Sequence, residues 1–278
     1  MINKGCGNLS NHRLGLIFVF LVPTVLFFIF CLPSDVKELM VLRSDSLSVL
    51  SLFSCHFTHE NFANHLLPNI FAYFVAVLPL YWLLFALNEK RLFYKLFAFN
   101  CLAMPFILSL IWIAVCKLWS WNTRSLGFSG IASAFLGALV FAYTLFLNKT
   151  LKVDTFYAYM SSILLPPIML ALTYFIYFAP ATIIAITIPL LAAFIPLAYK
   201  TIKSTDPQTK NKLKEKIKNP NATIIVNLLP YFLYLIIIGV SLILFPTQIV
   251  QGNTIVNILI HYAGFILGIG TAQLMHKQ

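Results

Sequence analysis

Two side chains far apart in the chain have the chemistry of a catalytic pair. His261 lies in an apolar run, 254–275, and no other histidine falls inside any long apolar run. An ionisable group in such a run is costly in a bilayer, so function is the first reading; a histidine hydrogen-bonded to a neighbouring helix is the alternative. Ser129 lies in Leu126-Gly127-Phe128-Ser129-Gly130, at the start of the run 126–147. In the first turn of a helix the backbone N–H groups are unpaired and the dipole is positive, which suits a serine whose attack creates an oxyanion. Read alone, G-x-S-G is three fixed residues, and a serine there also has an ordinary structural explanation. Together, imidazole and hydroxyl would perform base-assisted nucleophilic attack. His65 and Asn69 stand four residues apart where the run 66–87 begins, on one helix face, and both can donate hydrogen bonds to an oxyanion.

Other chemistries fit less well. G-x-S-x-G nucleophile elbows need a strand, a turn and a helix in an α/β sheet, and nothing in this chain predicts a sheet. His59-Glu60 followed by His65 resembles a zinc protease motif, but its spacing of six turns the second histidine to a nearly opposite helix face, so no metal site is expected. His56 and His59 read as loop or interface residues. Cys6, Cys31, Cys55, Cys101 and Cys116 are odd in number and lack C-x-x-C spacing, which makes them packing residues. No cofactor follows from any motif.

The elements that must hold these residues are membrane spans. Of the 278 residues 60% are hydrophobic and 10% charged, against about 25% charged in a soluble domain. Eight runs are long enough to cross a bilayer: 14–32, 66–87, 96–116, 126–147, 156–178, 181–199, 224–245 and 254–275. None contains Asp, Glu, Lys or Arg. The fifth and sixth carry Pro166, Pro167, Pro189 and Pro196 and could instead form a re-entrant hairpin. The basic residues divide unevenly between the two sides. One side holds Lys4, Arg13, Lys90, Arg91, Lys95, Lys149, Lys152, the seven lysines from Lys200 to Lys218, and Lys277. The other holds Lys37, Arg43, Lys117 and Arg124. This asymmetry predicts cytoplasmic termini, with 200–221 as a basic cytoplasmic loop near anionic headgroups rather than a nucleic-acid site. It also brings Ser129, His65, Asn69 and His261 to the outer half of the bilayer, His261 roughly 10 Å deep at 1.5 Å per residue.

Small residues recur where helices must approach. His261, Gly264, Gly268 and Ala272 share one face, and Gly130, Ala134, Ala138 and Ala142 form a second. Such faces let helices pack closely, although G-x-x-x-G alone is common in membranes. Gly127, Gly130, Gly264 and Gly268 are therefore expected packing positions.

In this order, His65-Leu-Leu-Pro-Asn69, Gly127-Phe-Ser129-Gly130 and His261-Tyr-Ala-Gly264-Phe-Ile-Leu-Gly268 resemble the motifs of the rhomboid family of intramembrane serine proteases, over about 56–275. The resemblance implies an all-α, polytopic helix bundle with a six-helix core, here with about two extra spans, in one membrane domain covering 1–278. It also implies that Ser129 is the nucleophile and His261 the base, with His65, Asn69 and the Ser129 N–H holding the oxyanion. The expected partners are transmembrane protein substrates and the lipid bilayer, in the plasma membrane of a prokaryote. A non-catalytic rhomboid-like client-binding protein and a transporter are the competing classes. The first usually lacks the Ser or His, and the second is disfavoured by spans free of acids, Lys and Arg. The chain departs from the family in three respects. Three spans separate its Ser and His helices instead of one, Pro68 falls between His65 and Asn69, and the first external loop lacks the aromatic-Arg motif.

Overall fold

The structure is a computed structural model that describes residues 6–46, 48–173, 180–216, 222–244, 250–251, 254–255 and 258–277. Helix α1 (Cys6–Phe30) leads into a loop that holds α2 (Ser34–Met40), strand β1 (Leu42–Arg43), α3 (Val49–Ser54) and a 3-10 turn (Cys55–Phe57). A π turn (Phe62–Leu66) then opens α4 (Leu67–Ala86). The chain continues through α5 (Lys90–Leu102), α6 (Met104–Leu118), β2 (Arg124–Ser125), α7 (Ser129–Leu151), α8 (Thr155–Thr173), α9 (Pro180–Lys203), α10 (Pro207–Lys216) and α11 (Ala222–Leu244). Strands β3 (Val250–Gln251) and β4 (Thr254–Ile255) precede α12 (Ile258–His276). Among the described residues, seven helices are long and apolar enough to cross a membrane, and an eighth crossing is formed if α5 and α6 count as one span.

That eighth crossing corrects the expected run 96–116, which is not one helix. Helices α5 and α6 meet at Ala103 with a bend of 43°. Pro105 accounts for the break: it has no N–H to give to the preceding turn, and its ring crowds the carbonyl four residues back. Two other boundaries move as well. The run 126–147 becomes helical only at Ser129, because Gly127 has φ 113°, outside helical geometry. The run 254–275 opens as strand at Thr254–Ile255, paired with β3, and its helix is described from Ile258. His261 is therefore the fourth residue of its helix, roughly 5 Å along it at 1.5 Å per residue, and not seven residues deep. Helices α8 and α9 are each long enough to cross and lie against one another, with 174–179 between them outside the described residues. The basic stretch expected as a loop at 200–221 begins as the last turn of α9, to Lys203, and is helical again at Pro207–Lys216, where Asp206 caps the new helix through the Gln208 and Thr209 N–H groups at 3.2 and 3.0 Å.

The centre of the bundle is α7, buried along most of its length between α12 and α4. Small residues allow this. A methyl added to Gly264 would strike the Gly130 carbonyl, one on Gly268 the Ala134 carbonyl, and one on Gly137 the Phe265 carbonyl. The two backbones are thus in contact over about two turns, as the expected roles of Gly130, Gly264 and Gly268 require. Gly127 is different: it precedes the helix and faces a side chain, described below. On the other flank Tyr73 of α4 sets its ring edge-on to Phe128 and Phe135, at 5.7 and 5.5 Å. Of the three membrane-length helices between α7 and α12 in sequence, α8, α9 and α11, the last is the one that packs on both α4 and α7. It is fixed there by Tyr143, whose hydroxyl donates to the Leu229 carbonyl at 2.6 Å, and by Tyr234 with Ser161 at 2.9 Å.

Gly268 and Gly270 make a test of this packing. A Cβ on Gly270 meets nothing within 4 Å. Gly268→Ala should destabilise the purified protein by about 1–3 kcal/mol through overpacking. Gly270→Ala should be neutral or stabilising by up to about 1 kcal/mol through helix propensity. Thermal unfolding in detergent would check this, and equal effects of the two substitutions would contradict the packing described.

Candidate active site

The α7–α12 contact sets the first turns of the two helices side by side. Ser129 Oγ lies 2.6 Å from His261 Nε2. Ser129 is half-buried and His261 is 4% exposed, so the pair is shielded by protein yet reachable at the hydroxyl. The backbone of Leu244, the last residue of α11, also interacts with the imidazole.

The wall opposite is built by the segment before α4. Cys55 accepts the Gly127 N–H through its carbonyl at 2.9 Å. His59 Nε2 accepts the next N–H, that of Phe128, at 3.3 Å. Because Nε2 accepts there, the proton resides on Nδ1, which donates to the Phe57 carbonyl at 3.3 Å. The Asn69 atom 3.1 Å from Nε2 must then be the amide nitrogen, donating. Two successive N–H groups are thus taken by this segment, and Ser129 supplies the N–H that follows, at the start of the helix. His65 completes the enclosure. Its ring is 4.8 Å from that of His59, edge-on, and a methyl on Gly127 would come within 2.5 Å of its Nε2. Only glycine, at φ 113°, leaves room for that ring.

All four predicted chemical residues, Ser129, His261, His65 and Asn69, therefore belong to one cluster. His59 belongs to it too: it lies in the loop, as expected of a loop or interface residue, but packs into the cluster. It is fully buried and links Asn69 to the main chain that leads into Ser129. His56 is confirmed as structural: its Nε2–H is shared between the Pro105 carbonyl at 2.9 Å and Ser109 Oγ at 3.0 Å, tying the segment to α6 just beyond the bend. The π turn also changes the basis on which His65 and Asn69 share a side. Pro68 falls at the second residue of α4, where a missing N–H costs nothing, and His65 lies in the wider turn before it.

A charged network at the mouth secures the same loop. Strands β1 and β2 pair Leu42 with Ser125 and Arg43 with Arg124. Arg124 bonds Glu60 at 2.7 Å and approaches Glu38 at 3.8 Å, while Arg43 pairs with Glu38. Among the described residues, no group of three His, Cys, Asp or Glu could hold a metal ion. His59 spends both ring nitrogens on protein groups. Cys31, Cys55, Cys101 and Cys116 are free thiols. Compared with known proteins, the chain matches no family model, no curated protein and no solved structure.

Burial lowers the pKa of His56 to about 4, and burial together with the neighbouring His65 lowers that of His59 to about 3. Both are therefore neutral in the folded chain at neutral pH. In the unfolded chain they protonate near the ordinary value of about 6.5. Between these limits the unfolded state binds more protons, so the stability they contribute is complete above about 6.5 and falls as pH falls towards 4. The unfolding temperature in detergent should drop steadily from pH 7 to pH 4.5. A double variant, His56→Gln with His59→Gln, should have a shallower slope than the parent; an unchanged slope would contradict the assignment.

Proposed function

We propose that the protein is an intramembrane serine endopeptidase of the rhomboid kind, cleaving transmembrane helices near the outer membrane face. The observation that carries this reading is the 2.6 Å approach of Ser129 Oγ to His261 Nε2 at the paired mouths of two membrane-spanning helices. A hydroxyl on one span and an imidazole on another, 132 residues apart, need a reason to be enclosed together in a bilayer.

The chemistry follows from the arrangement. With Nδ1 protonated, His261 Nε2 takes the Ser129 proton as Oγ bonds to the scissile carbonyl carbon. The carbonyl oxygen becomes an oxyanion at the start of α7, where the Ser129 N–H, the Asn69 amide and the His65 ring supply donors and the helix dipole is positive. His261 then passes the proton to the departing amine, and the peptide C–N bond breaks to leave an ester on Ser129. A water, deprotonated by the same imidazole, hydrolyses the ester and restores the hydroxyl. No Asp or Glu lies in α7 or α12, so the pair works as a dyad. Asn69 is a catalytic residue in this scheme because its amide meets the oxyanion. His59 is a positioning residue, since its ring orients that amide. The excess of Lys and Arg in one set of loops supports cytoplasmic termini and a site at the outer face.

Cleavage of a reporter transmembrane substrate in liposomes tests the proposal. Ser129→Ala and His261→Ala should abolish it. Asn69→Ala should reduce kcat by about 10²–10³, as removal of an oxyanion donor does elsewhere. His59→Ala should lower kcat with KM little changed, and its effect should not add to that of Asn69→Ala, because both act through one amide. Full cleavage by a folded Ser129→Ala variant would overturn the proposal.

A further inference from the structure

On the side of the bundle away from α11, α1 and α5 enclose a cleft of about 600 Å³. That volume falls within the range of small-ligand pockets, about 300–1,000 Å³. Helix α1 is drawn onto α4 at Gly15, where a methyl would come within 2.5 Å of the Tyr81 ring, and this leaves its other face standing off α5. Phe18, Val22 and Val25 of α1 face Tyr94, Ala98 and Cys101 of α5 across the gap. Phe18 bridges it with ring contacts to Tyr94 at 6.0 Å and Phe97 at 5.5 Å. Walls of this kind gain dispersion energy only if hydrocarbon fills the space.

The two ends of the cleft differ. Towards the candidate active site it is lined by Met40, Phe53 and Phe57 of the loop. The other end lies towards the basic loops. There the α5 face that lines the cleft, Tyr94, Ala98 and Leu102, continues as Arg91 and Lys95 at helical spacing, both exposed. The charges around them do not cancel this mouth. Glu89, the acid of the turn, is engaged by Lys149 at 3.2 Å and His276 at 3.6 Å, and Lys90 is folded over the Phe85 ring at 5.5 Å. An apolar cleft with Arg91 and Lys95 exposed at one end matches an anionic lipid.

We propose that this cleft is a phospholipid site, with one acyl chain between α1 and α5 and an anionic headgroup at the Arg91–Lys95 mouth. The whole protein, released from micelles holding equal amounts of phosphatidylglycerol and phosphatidylcholine with identical chains, would be examined by native mass spectrometry. The expected result is one retained lipid per chain, with phosphatidylglycerol favoured at least fivefold. Ala98→Trp and Val25→Trp fill the cleft from opposite walls, and each should abolish retention in protein that still unfolds cooperatively. Arg91→Gln with Lys95→Gln should keep the lipid but bring the ratio close to one. Retention that survives in both Trp variants, or a headgroup preference that survives the double Gln variant, would overturn the proposal. So would a co-purifying transmembrane peptide in place of lipid.

Discussion

The contact between the backbones of α7 and α12 governs everything else in this bundle. Lipid tails are as apolar as leucine, so two spans gain little by hiding hydrophobic surface from lipid; they associate through close packing. Gly264 under Gly130, Gly268 under Ala134 and Gly137 under Phe265 leave no room for a Cβ. Each interlock fixes not only the distance between the helices but also their register. Ser129 immediately precedes Gly130, and His261 precedes Gly264 by three residues. The register that seats the glycines is therefore the one that brings hydroxyl to imidazole. A slip by one turn, about 5.4 Å, would separate them.

A second constraint comes from the segment 55–60, which has no extended regular structure and is instead fixed by polar contacts at nearly every residue. Cys55 and His59 take the two N–H groups ahead of Ser129, His56 ties the segment to α6, and Glu60 reaches Arg124. The exposed ion pairs contribute little singly. The buried histidines matter more, because a neutral imidazole that both donates and accepts can satisfy main chain and side chain at once in a place where water is scarce. Tyr73 joins this region to the core by packing between Phe128 and Phe135. The loop, α4 and α7 thus behave as one support for the site.

Much of this was legible in the residues themselves, and the exceptions have physical causes. Long runs without charge disclose spans because a bilayer tolerates little else. They do not disclose a bend, so α5 and α6 read as one helix although Pro105 was in plain view. The pairing of Ser129 with His261 was readable from small-residue faces, but Gly137 escaped a reading that followed every fourth residue. The spacing of His59 to His65 is misleading on an ideal α-helix, because the chain between them runs through non-helical residues and then a π turn. A usable signal existed: three of the chain's six histidines fall within ten residues of one loop. Which helix completes the core beside α4 and α7 was not readable. Helices α8, α9 and α11 are all apolar, and the choice of α11 depends on tertiary contacts such as Tyr143 with Leu229.

The central claim is that the chain folds so as to make one serine nucleophilic inside a membrane. Covalent capture by a serine-directed fluorophosphonate, followed by intact mass and peptide mapping, tests it most directly, because it needs no knowledge of the substrate. The account predicts a single adduct on Ser129, none elsewhere, and none when His261 is replaced by Ala in protein that remains folded. A chain that stays unmodified, or that is labelled equally well without His261, would contradict it.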